Sequence, residues 1–464
     1  MTLHRAWLRR LAVAALLLGA APAGLASRAP LTADRESPLL VTVAEVASDR
    51  AVLWLRSATH DQVDVTVHGA GEPGARRFAA LVAPDWDRTF RVALTGLAPG
   101  REYRYEAAAG GEVVTGRFAT APAPDADVPV RLLWSGDLGG SGHCRDAEHG
   151  YRIFRAMAER AADLFLFVGD TMYADHTCGG RPSAGDDVAT TLEDFRAKHR
   201  YNRADPAMQA FLRRTPVYAI WDDHEVRNNF GPAEPLMSVG LRAFRDYWAV
   251  AGPADEPDRL YRAVRWGRHV EIFILDTRQY RSPNEQADGP DKTMLGDAQR
   301  RWLLDGVRAS DATWKVIVTS VPLGMFTGGA ASDSWSSANV FGFRRAGRGF
   351  AWERDAILGA LAAAGVENVV FLAGDVHHAQ LLRHDLDGYT VHEMVAGPLA
   401  ARPGFPRFLD RSLRSRSLGG VGLTSNFGEI VADGRELVTI IRDTDGRART
   451  SARLTAEPDG GQAP

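Results

Sequence analysis

Four short apolar runs in this sequence are each followed closely by an aspartate. From Pro129 onward such strand-length runs alternate with amphipathic helical segments, a pattern typical of an α/β layered domain. A single Gly-Asp ending has no special meaning, because aspartate commonly caps turns and helices. Four endings together predict acids that converge where α/β proteins bind ligands. They read Ser135-Gly136-Asp137, Gly169-Asp170-Thr171-Met172-Tyr173, Trp221-Asp222-Asp223-His224-Glu225 and Gly374-Asp375-Val376-His377-His378.

Carboxylates that converge in a protein interior repel one another and lose their hydration. A bound cation compensates both effects. Two of the four endings also bring histidine, which adds nitrogen to the oxygen donors. The sequence therefore predicts a metal centre built from these strand ends.

The N-terminal part of the chain has a different pattern. Residues 38–120 alternate polar and apolar side chains between turn residues, which predicts an antiparallel β-sandwich. The stretch 94–105, "LTGLAPGREYRY", resembles a turn and strand of fibronectin type III domains. A Pro- and Ala-rich linker is expected at 121–128, the α/β domain at 129–445 and a C-terminal tail at 446–464.

Length and charge set outer limits on the function. At 464 residues the chain exceeds what one core usually fills, so two domains are expected. The formal net charge of −3 gives no electrostatic reason for a stable complex with nucleic acid or an anionic membrane. In the sequence, nothing amphipathic or strongly basic marks a membrane-docking face.

The first 26 residues have the features of a secretory signal peptide. Arg9 and Arg10 precede a short apolar run, and Gly24-Leu25-Ala26 offers a small-residue cleavage site. The paired arginines are compatible with the twin-arginine route and also with the general Sec route. A periplasmic or secreted protein that meets one of these export machineries is expected, without a transmembrane anchor.

The sequence contains two cysteines, Cys144 and Cys178. In an oxidising compartment the pair can close one disulfide near the predicted site. Two free thiols, or a metal role for one of them, are the alternatives.

The order GD, GDxxY, WDDHE, GDVH resembles the metallophosphoesterase superfamily, and WDDHE with GDVH resembles its alkaline phosphatase D family. The stretches "FRAKHRYN" at 195–202, "LDTRQYR" at 275–281 and "WKVIVTSVPL" at 314–323 agree with this family. The resemblance implies a four-layer αββα catalytic domain behind the β-sandwich. It also implies iron and calcium at a two-metal site, where a metal-bound hydroxide attacks phosphate mono- or diesters.

The resemblance assigns roles to individual residues. Asp170 is expected to bridge the two metals and Tyr173 to bind ferric iron as a phenolate. An oxygen-rich second site favours Ca²⁺ or another hard divalent ion over Zn²⁺. The complete expected ligand set is Asp137, Asp170, Tyr173 and His377 at the first metal, with Asp223 and Asp375 at the second.

His224 is the candidate general acid for the leaving oxygen, with Asp222 or Glu225 orienting its ring. Donors to the phosphate are expected just past the strand ends, although an arginine beside so many acids is as often a structural charge balance. The candidates are Arg227, Asn228, Asn229 and Arg278. His378 is expected to pack rather than bind metal, and Gly324–Gly349 is a long loop that could cover the site.

Three functions are compatible with these features. The first is a phosphohydrolase for small phosphate esters or for nucleotide- or lipid-derived diesters. The second is a phospholipase-like phosphodiesterase, disfavoured because no docking face is evident. The third is a non-catalytic protein that binds a surface or glycan, disfavoured because each motif keeps its acids.

Overall fold

The computed structural model of the protein describes residues 39–81, 84–140, 143–146, 148–177, 187–250, 252–328, 332–343 and 347–457. They belong to one compact unit, Glu36–Pro464. The expected signal peptide at 1–26, Cys178 and the end of the tail at 458–464 lie outside the described residues.

The N-terminal region is an all-β sandwich, as the alternating pattern predicts. In the sixth strand, for example, Tyr103, Tyr105 and Ala107 are buried, whereas the residues between them are not. Four strands form one sheet, in the order β4-β3-β6-β7, and the other three pair as β1-β2-β5. The seven strands are β1 (Leu39–Ala44), β2 (Arg50–Ser57), β3 (Gln62–Gly69), β4 (Arg76–Leu81), β5 (Thr89–Thr95), β6 (Glu102–Ala109) and β7 (Glu112–Ala119).

Strands are interleaved with helices as far as Ala373, which confirms the α/β class, and six further strands follow. The strands are β8 (Val130–Ser135), β9 (Leu164–Val168), β10 (Val217–Ile220), β11 (Arg262–Trp266), β12 (Val270–Ile274), β13 (Trp314–Val318), β14 (Val369–Ala373), β15 (Ala379–Leu386), β16 (Tyr389–Val395), β17 (Arg416–Val421), β18 (Asn426–Ala432), β19 (Glu436–Asp443) and β20 (Ala448–Thr455). The helices are α1 (Ile153–Ala158), α2 (Leu192–Arg203), α3 (Pro206–Leu212), α4 (Met237–Tyr247), α5 (Gly296–Ala309) and α6 (Ala351–Ala363).

Two sheets form the middle layers of this region. A nine-stranded sheet has the order β20-β19-β18-β8-β9-β10-β1-β2-β5, and a seven-stranded sheet has the order β11-β12-β13-β14-β16-β15-β17. In β12, Ile272 and Ile274 share a core with the nine-stranded sheet, whereas Phe273 packs in a second core with α5 and α6. On the other outer face, Phe165 of β9 packs against Phe211 of α3. These contacts confirm the expected αββα layers.

The boundary between the β-sandwich and the α/β region is crossed by a sheet. Strand β1 pairs in parallel with β10 at Ala44 and Val217 and so attaches three sandwich strands to the nine-stranded sheet. Near this junction, the Arg262 guanidinium donates to the Glu45 carboxylate at 2.6 and 2.7 Å. The sequence pattern predicts two separate domains. In the structure the edge of β1 hydrogen-bonds to β10, so one sheet runs through both regions.

The predicted C-terminal tail begins too early. Ala448–Thr455 forms β20, an edge strand that pairs with β19 from Glu436 to Arg442. In β20, Leu454 is buried and the other side chains are half-buried or exposed, as expected of an edge strand. A strand with so few apolar positions is hard to identify from the sequence. No helix in the described part of the chain is long and apolar enough to cross a membrane.

A close contact between β8 and β18 offers a test of this packing. A Cβ atom on Gly428 would lie 2.1 Å from the ring of its cross-strand partner Trp134. We expect Gly428→Ala to lower the free energy of unfolding by about 1–3 kcal/mol, because the buried indole must shift. The exposed Gly359 in α6 has open space around its Cβ position, so Gly359→Ala should stabilise by about 0.5–1 kcal/mol. Urea unfolding of both variants checks this, and effects of the same sign would contradict it.

Candidate metal centre

The acids predicted to converge do converge. Asp137 follows β8, Asp170 follows β9, Asp223 follows β10 and Asp375 follows β14. Strands β8, β9 and β10 are parallel neighbours, so the first three acids leave one sheet at the same edge. The fourth comes from the other sheet, and the Asp375 backbone N–H donates to Asp137 Oδ1 at 3.2 Å. The centre therefore lies where the ends of both sheets meet.

The backbone at these positions is strained. Asp137, Asp170, Asp375 and His377 have φ angles of 58°, 51°, 67° and 57°, in the left-handed region that L-residues other than glycine disfavour. Such a conformation costs about 1–3 kcal/mol per residue and persists where the surroundings enforce it. The glycine at 169 has a φ of 114°, and a Cβ atom there would lie 2.6 Å from Asp222 Cβ. These turns therefore orient the side chains toward the centre at the expense of local backbone stability.

Two groups of donor atoms share one aspartate. Asp137, Asp170 and His377 each place a ligand atom within 4.8 Å of the others, and so do Asp170, Asp223 and His224. Asp170 belongs to both groups, where a carboxylate bridging two metals would lie. The Tyr173 hydroxyl is 3.0 Å from His377 Nε2 and so adjoins the first group. The six expected ligands are in one cluster.

A further donor group extends the cluster. Asp222, Asp223 and Asp375 also bring carboxylate oxygens within 4.8 Å of one another. Sequence reasoning did not count Asp222 among the ligands. Because it stands directly before Asp223 in the motif, the signal was present in the sequence.

The residues present fit hard metal ions. Four buried carboxylate oxygens, one from each of four acids, have no hydrogen-bond partner: Asp137 Oδ2, Asp222 Oδ2, Asp223 Oδ1 and Asp375 Oδ2. A buried carboxylate oxygen without a partner is costly unless a cation or a proton satisfies it. Carboxylate oxygens, with one imidazole and one phenol beside them, are a donor set for hard cations.

Burial and crowding also change how these groups titrate. Burial, and then the negative charge of Asp222, raises the pKa of Asp137 to about 8. Burial and the neighbouring carboxylates raise the pKa values of Asp170 and Asp375 well above the ordinary range. Burial and the charge of Asp170 likewise raise the pKa of the Tyr173 hydroxyl. Without metal the cluster therefore holds protons, which metal binding would release.

His224 is held in place by an acid that the sequence analysis missed. Its Nδ1 lies 2.8 and 3.0 Å from the two carboxylate oxygens of Asp175, and its ring stacks on Tyr173 with centroids 4.1 Å apart. Burial alone would lower the pKa of His224, but the charges of Asp223 and Asp175 raise it to about 9. Asp175 follows the GDxxY motif by two residues, a position that the motif does not include.

The two acids expected to orient His224 have other partners. Glu225 accepts hydrogen bonds from the backbone and hydroxyl of Thr171 at 2.5 and 2.7 Å and from the Asp222 backbone at 2.9 Å. Asp222 Oδ1 accepts from Arg278 Nε at 2.7 Å. The prediction of Asp222 or Glu225 was therefore wrong, because both side chains turn inward while Asp175 approaches from a different loop.

Two predicted substrate donors, Arg227 and Arg278, are bound by other groups of the protein and are not among the residues that line the cleft above the cluster. Arg278 is fully buried, and its guanidinium binds Asp222 and, at 3.0 and 2.7 Å, Asp333. Arg227 donates to the backbone carbonyls of Val226 and Ala189. Arg278 therefore balances the charge of buried carboxylates, as the alternative prediction had it. Arg227 stabilises the backbone of the loops at Val226 and Ala189.

An open cleft of about 700 Å³ lies over the cluster. Asn228 and Asn229, both predicted substrate donors, line it, and the Asn229 backbone N–H donates to Asp223 Oδ2 at 2.6 Å. Sequence reasoning missed Arg402 and Arg407, which also line the cleft. They lie in an irregular loop after β16, where no periodic pattern marks them.

The loop expected to cover the site is largely packed into the protein. Residues 332–338 are buried, and Asp333 is held by Arg278 and Arg281. Thr327 and Gly328, at the start of the segment, reach the cleft. Residues 329–331 and 344–346 lie outside the described part.

Two further residues can be compared with expectation. The His378 ring is buried, with Nδ1 2.9 Å from the Val376 carbonyl and Nε2 3.2 Å from the Gln380 side chain, so it packs away from the cluster. Cys144 is disulfide-bonded. Because Cys178 lies outside the described residues, the expected pair stays a prediction.

Comparison with known proteins gives consistent results. The family model described as PhoD-like phosphatase matches residues 140–420, and that of its N-terminal domain matches 24–122. Alkaline phosphatase D of Bacillus subtilis (strain 168) is 27% identical in an alignment 387 residues long, which covers 71% of this chain but only 62% of that protein. The match thus spans less than two thirds of that relative.

Two solved structures share the fold. The structure of PhoD superposes with a TM-score of 0.73 at 21% identity, covering 91% of this chain and 92% of that one. A purple acid phosphatase, PPD1 from yellow lupin (Lupinus luteus) seeds, superposes with a TM-score of 0.64 at 13% identity, covering 89% and 74%. At these identities the likeness establishes the architecture.

The raised pKa of Asp137 makes the metal-free protein sensitive to pH. The folded state keeps this proton up to about pH 8, whereas the unfolded chain loses it near 3.8, so stability should fall as the pH rises between these values. In the Asp137→Asn variant, the free energy of unfolding should decrease less steeply with rising pH, by up to about 1.4 kcal/mol per pH unit. Urea unfolding in chelator between pH 5 and 8 measures it.

The exposed Asp255, which lies outside the cluster, provides the matched control, and Asp255→Asn should leave the pH profile unchanged. Identical profiles for Asp137→Asn and the unaltered protein would contradict the assignment of a buried, repelled carboxyl at 137.

Proposed function

This chain belongs to the PhoD-like phosphatase family, and we propose that it is a metal-dependent phosphoesterase that hydrolyses phosphate monoesters, diesters or both. The observation that carries the proposal is the position of Asp170, which places a carboxylate oxygen within 4.8 Å of ligand atoms of Asp137 and His377 and also of Asp223, among carboxylate oxygens that have no other partner. This arrangement suits two cations side by side at the floor of an open cleft. A non-catalytic binding protein would have no need for a cluster of buried, mutually repelling carboxylates, which destabilises the fold unless cations are bound.

We further propose ferric iron and calcium as the two ions. Asp137, Asp170, His377 and the phenol of Tyr173 would hold the iron, since phenolate and carboxylate suit a hard trivalent cation. Asp170, Asp223 and Asp375, with Asp222 as an added donor, would hold calcium through oxygen alone. When bound, such a pair supplies Lewis acidity that offsets phosphate charge and makes a water molecule a stronger nucleophile.

The chain's own contribution to the reaction centres on His224. Asp175 binds Nδ1, which leaves Nε2 as the nitrogen available to the cleft that His224 lines. The Asp175 carboxylate stabilises the protonated ring, which can give its Nε2 proton to the leaving oxygen. His224 is therefore the proposed general acid, and Asp175 is the residue that positions it.

Substrate contacts are proposed for four residues that line the cleft. Asn228 and Asn229 offer amide donors close to Asp223. Arg402 and Arg407 offer guanidinium groups, which would bind phosphate oxygens that the metals leave free. The Arg402 carbonyl also lies 2.8 Å from His377 Nδ1, which fixes the ring of a proposed ligand.

Export to the periplasm or beyond is proposed from two features. The first 26 residues have the pattern of a signal for the Sec or twin-arginine machinery. The disulfide at Cys144 suits an oxidising compartment.

Chelation should abolish hydrolysis of both p-nitrophenyl phosphate and bis-p-nitrophenyl phosphate, and iron with calcium should restore it. Asp170→Asn should lower kcat by at least about a hundredfold with the metals supplied, since both donor groups lose a charge. Asp255→Asn is the control of equal charge change, and circular dichroism checks the fold. Full activity of Asp170→Asn, or of the chelated protein, would overturn the two-metal proposal.

The role of His224 predicts a dependence on the leaving group. His224→Asn should slow hydrolysis of a dialkyl phosphate by about 10²–10⁴-fold, because an alkoxide needs a proton to leave. Hydrolysis of bis-p-nitrophenyl phosphate should fall much less, since p-nitrophenolate leaves unprotonated. Asp175→Asn should also slow hydrolysis of the dialkyl phosphate more than that of bis-p-nitrophenyl phosphate, but both rates should fall less than in His224→Asn. Equal losses on the two substrates would rule out a general acid at 224.

A further inference from the structure

The mouth of the cleft carries an unusual number of exposed phenylalanines. Among the described residues, four phenylalanine side chains are at least half exposed, and all four lie in two loops: Phe341, Phe343, Phe405 and Phe408, with exposures of 60%, 50%, 68% and 64%. We call these four residues, with the exposed Val340 and Leu423, the phenylalanine rim. Exposed apolar side chains that stand alone need no explanation, but a contiguous group of large ones indicates a binding surface.

Contacts between the two loops make the rim one surface. The rings of Phe341 and Phe408 lie with centroids 6.2 Å apart. The Arg411 backbone N–H donates to the Gly342 carbonyl at 3.1 Å, and Met325 forms a bridge with Leu409. The loops are therefore held together by their backbones while their aromatic side chains point outward.

The rim is also fixed to the metal centre. Phe405 lines the cleft, and the neighbouring Gly404 N–H donates to the carbonyl of the proposed ligand His377 at 2.6 Å. The Gly404 carbonyl in turn accepts from the Leu423 N–H at 2.8 Å. A molecule seated on the rim is thus next to the site of reaction.

Positive charge surrounds these apolar groups. Residues 402–416 contain five arginines and one aspartate, although the whole chain has a net charge of −3. Arg414 and Arg416 pair with Asp387 and Asp385, which leaves Arg402, Arg407 and Arg411 near the apolar groups. That aspartate, Asp410, is buried against Arg354 and does not reach the surface. Arg402 and Arg407 line the cleft, and the Arg411 guanidinium lies 4.0 Å above the ring of Phe343. The surface is therefore apolar and cationic together.

We propose that the phenylalanine rim docks on an anionic phospholipid surface and presents lipid headgroup diesters to the metal centre. Aromatic and aliphatic side chains enter the boundary of the acyl chains, and arginines bind the phosphates above it. The aliphatic Val340 and Leu423 cannot stack on bases, which argues against nucleic acid.

This inference rests on the proposed phosphoesterase activity and names a substrate class for it. In the reaction one P–O bond of the lipid diester breaks, phosphorus bonds the oxygen of water, and the leaving oxygen takes a proton. The docking face was not expected from the sequence, because its parts are separated by about sixty residues and meet only in the fold.

The test uses the full chain with its metals and vesicles of phosphatidylglycerol and phosphatidylcholine. Phe341→Ser/Phe408→Ser should weaken binding to phosphatidylglycerol vesicles by at least about tenfold, since two exposed rings no longer enter the interface. Vesicle hydrolysis should fall in parallel, whereas hydrolysis of soluble bis-p-nitrophenyl phosphate should not change. Leu81→Ser/Val113→Ser, on exposed apolar residues of the β-sandwich, is the matched control and should bind as the unaltered protein does.

Each other outcome has a defined meaning. If the unaltered protein hydrolyses the soluble diester but binds neither vesicle, docking is refuted and the proposed function stands. If it binds anionic vesicles through the rim but hydrolyses nothing, the proposed function fails and docking stands. If the Phe341→Ser/Phe408→Ser variant instead changes the sedimentation of the protein from oligomer to monomer without a change in vesicle binding, the rim joins two copies of the chain and the proposal is overturned.

Discussion

The crowding of buried carboxylates is the constraint on which the rest of this structure depends. Asp137, Asp170, Asp223 and Asp375 come from two different sheets and lie close enough to share cations. Burial of a charge costs several kcal/mol per ion when nothing compensates it. The left-handed turns add strain at the same positions. Because metal would relieve the repulsion only in the folded state, its binding free energy becomes part of the free energy of folding.

Beneath the cluster lies a buried ionic network that gives it a fixed geometry. Arg278 joins Asp222 to Asp333, and Arg281 adds a second guanidinium to Asp333. Although burial raises it, these two positive charges hold the pKa of Asp333 below its usual value. One oxygen of Asp222 is thereby fixed, while the other stays unpartnered among the acids. The network explains why an arginine expected to bind substrate is needed as a support instead.

The loop after β16 connects the chemistry of the centre with the protein's surface. The backbone carbonyl of Arg402 forms a hydrogen bond with His377 Nδ1, and the backbone N–H of Gly404 donates to the His377 carbonyl. The same few residues expose Phe405 and aim Arg407 at the cleft. A change in what sits on this surface would therefore act directly on a proposed metal ligand. Rigid support and substrate access come from one short segment.

The sequence by itself determined the α/β class of the larger region, the all-β N-terminal region and the acids at the strand ends. Those signals are local, because an apolar run followed by Asp137, Asp170 or Asp375 fixes both the strand and what its end carries. Tertiary structure alone decided which side chains serve these acids. Arg278 finds Asp333 fifty-five residues away, and Arg402 reaches the cleft from an irregular loop. Contacts between distant segments depend on how the layers pack, which no periodicity in the chain records.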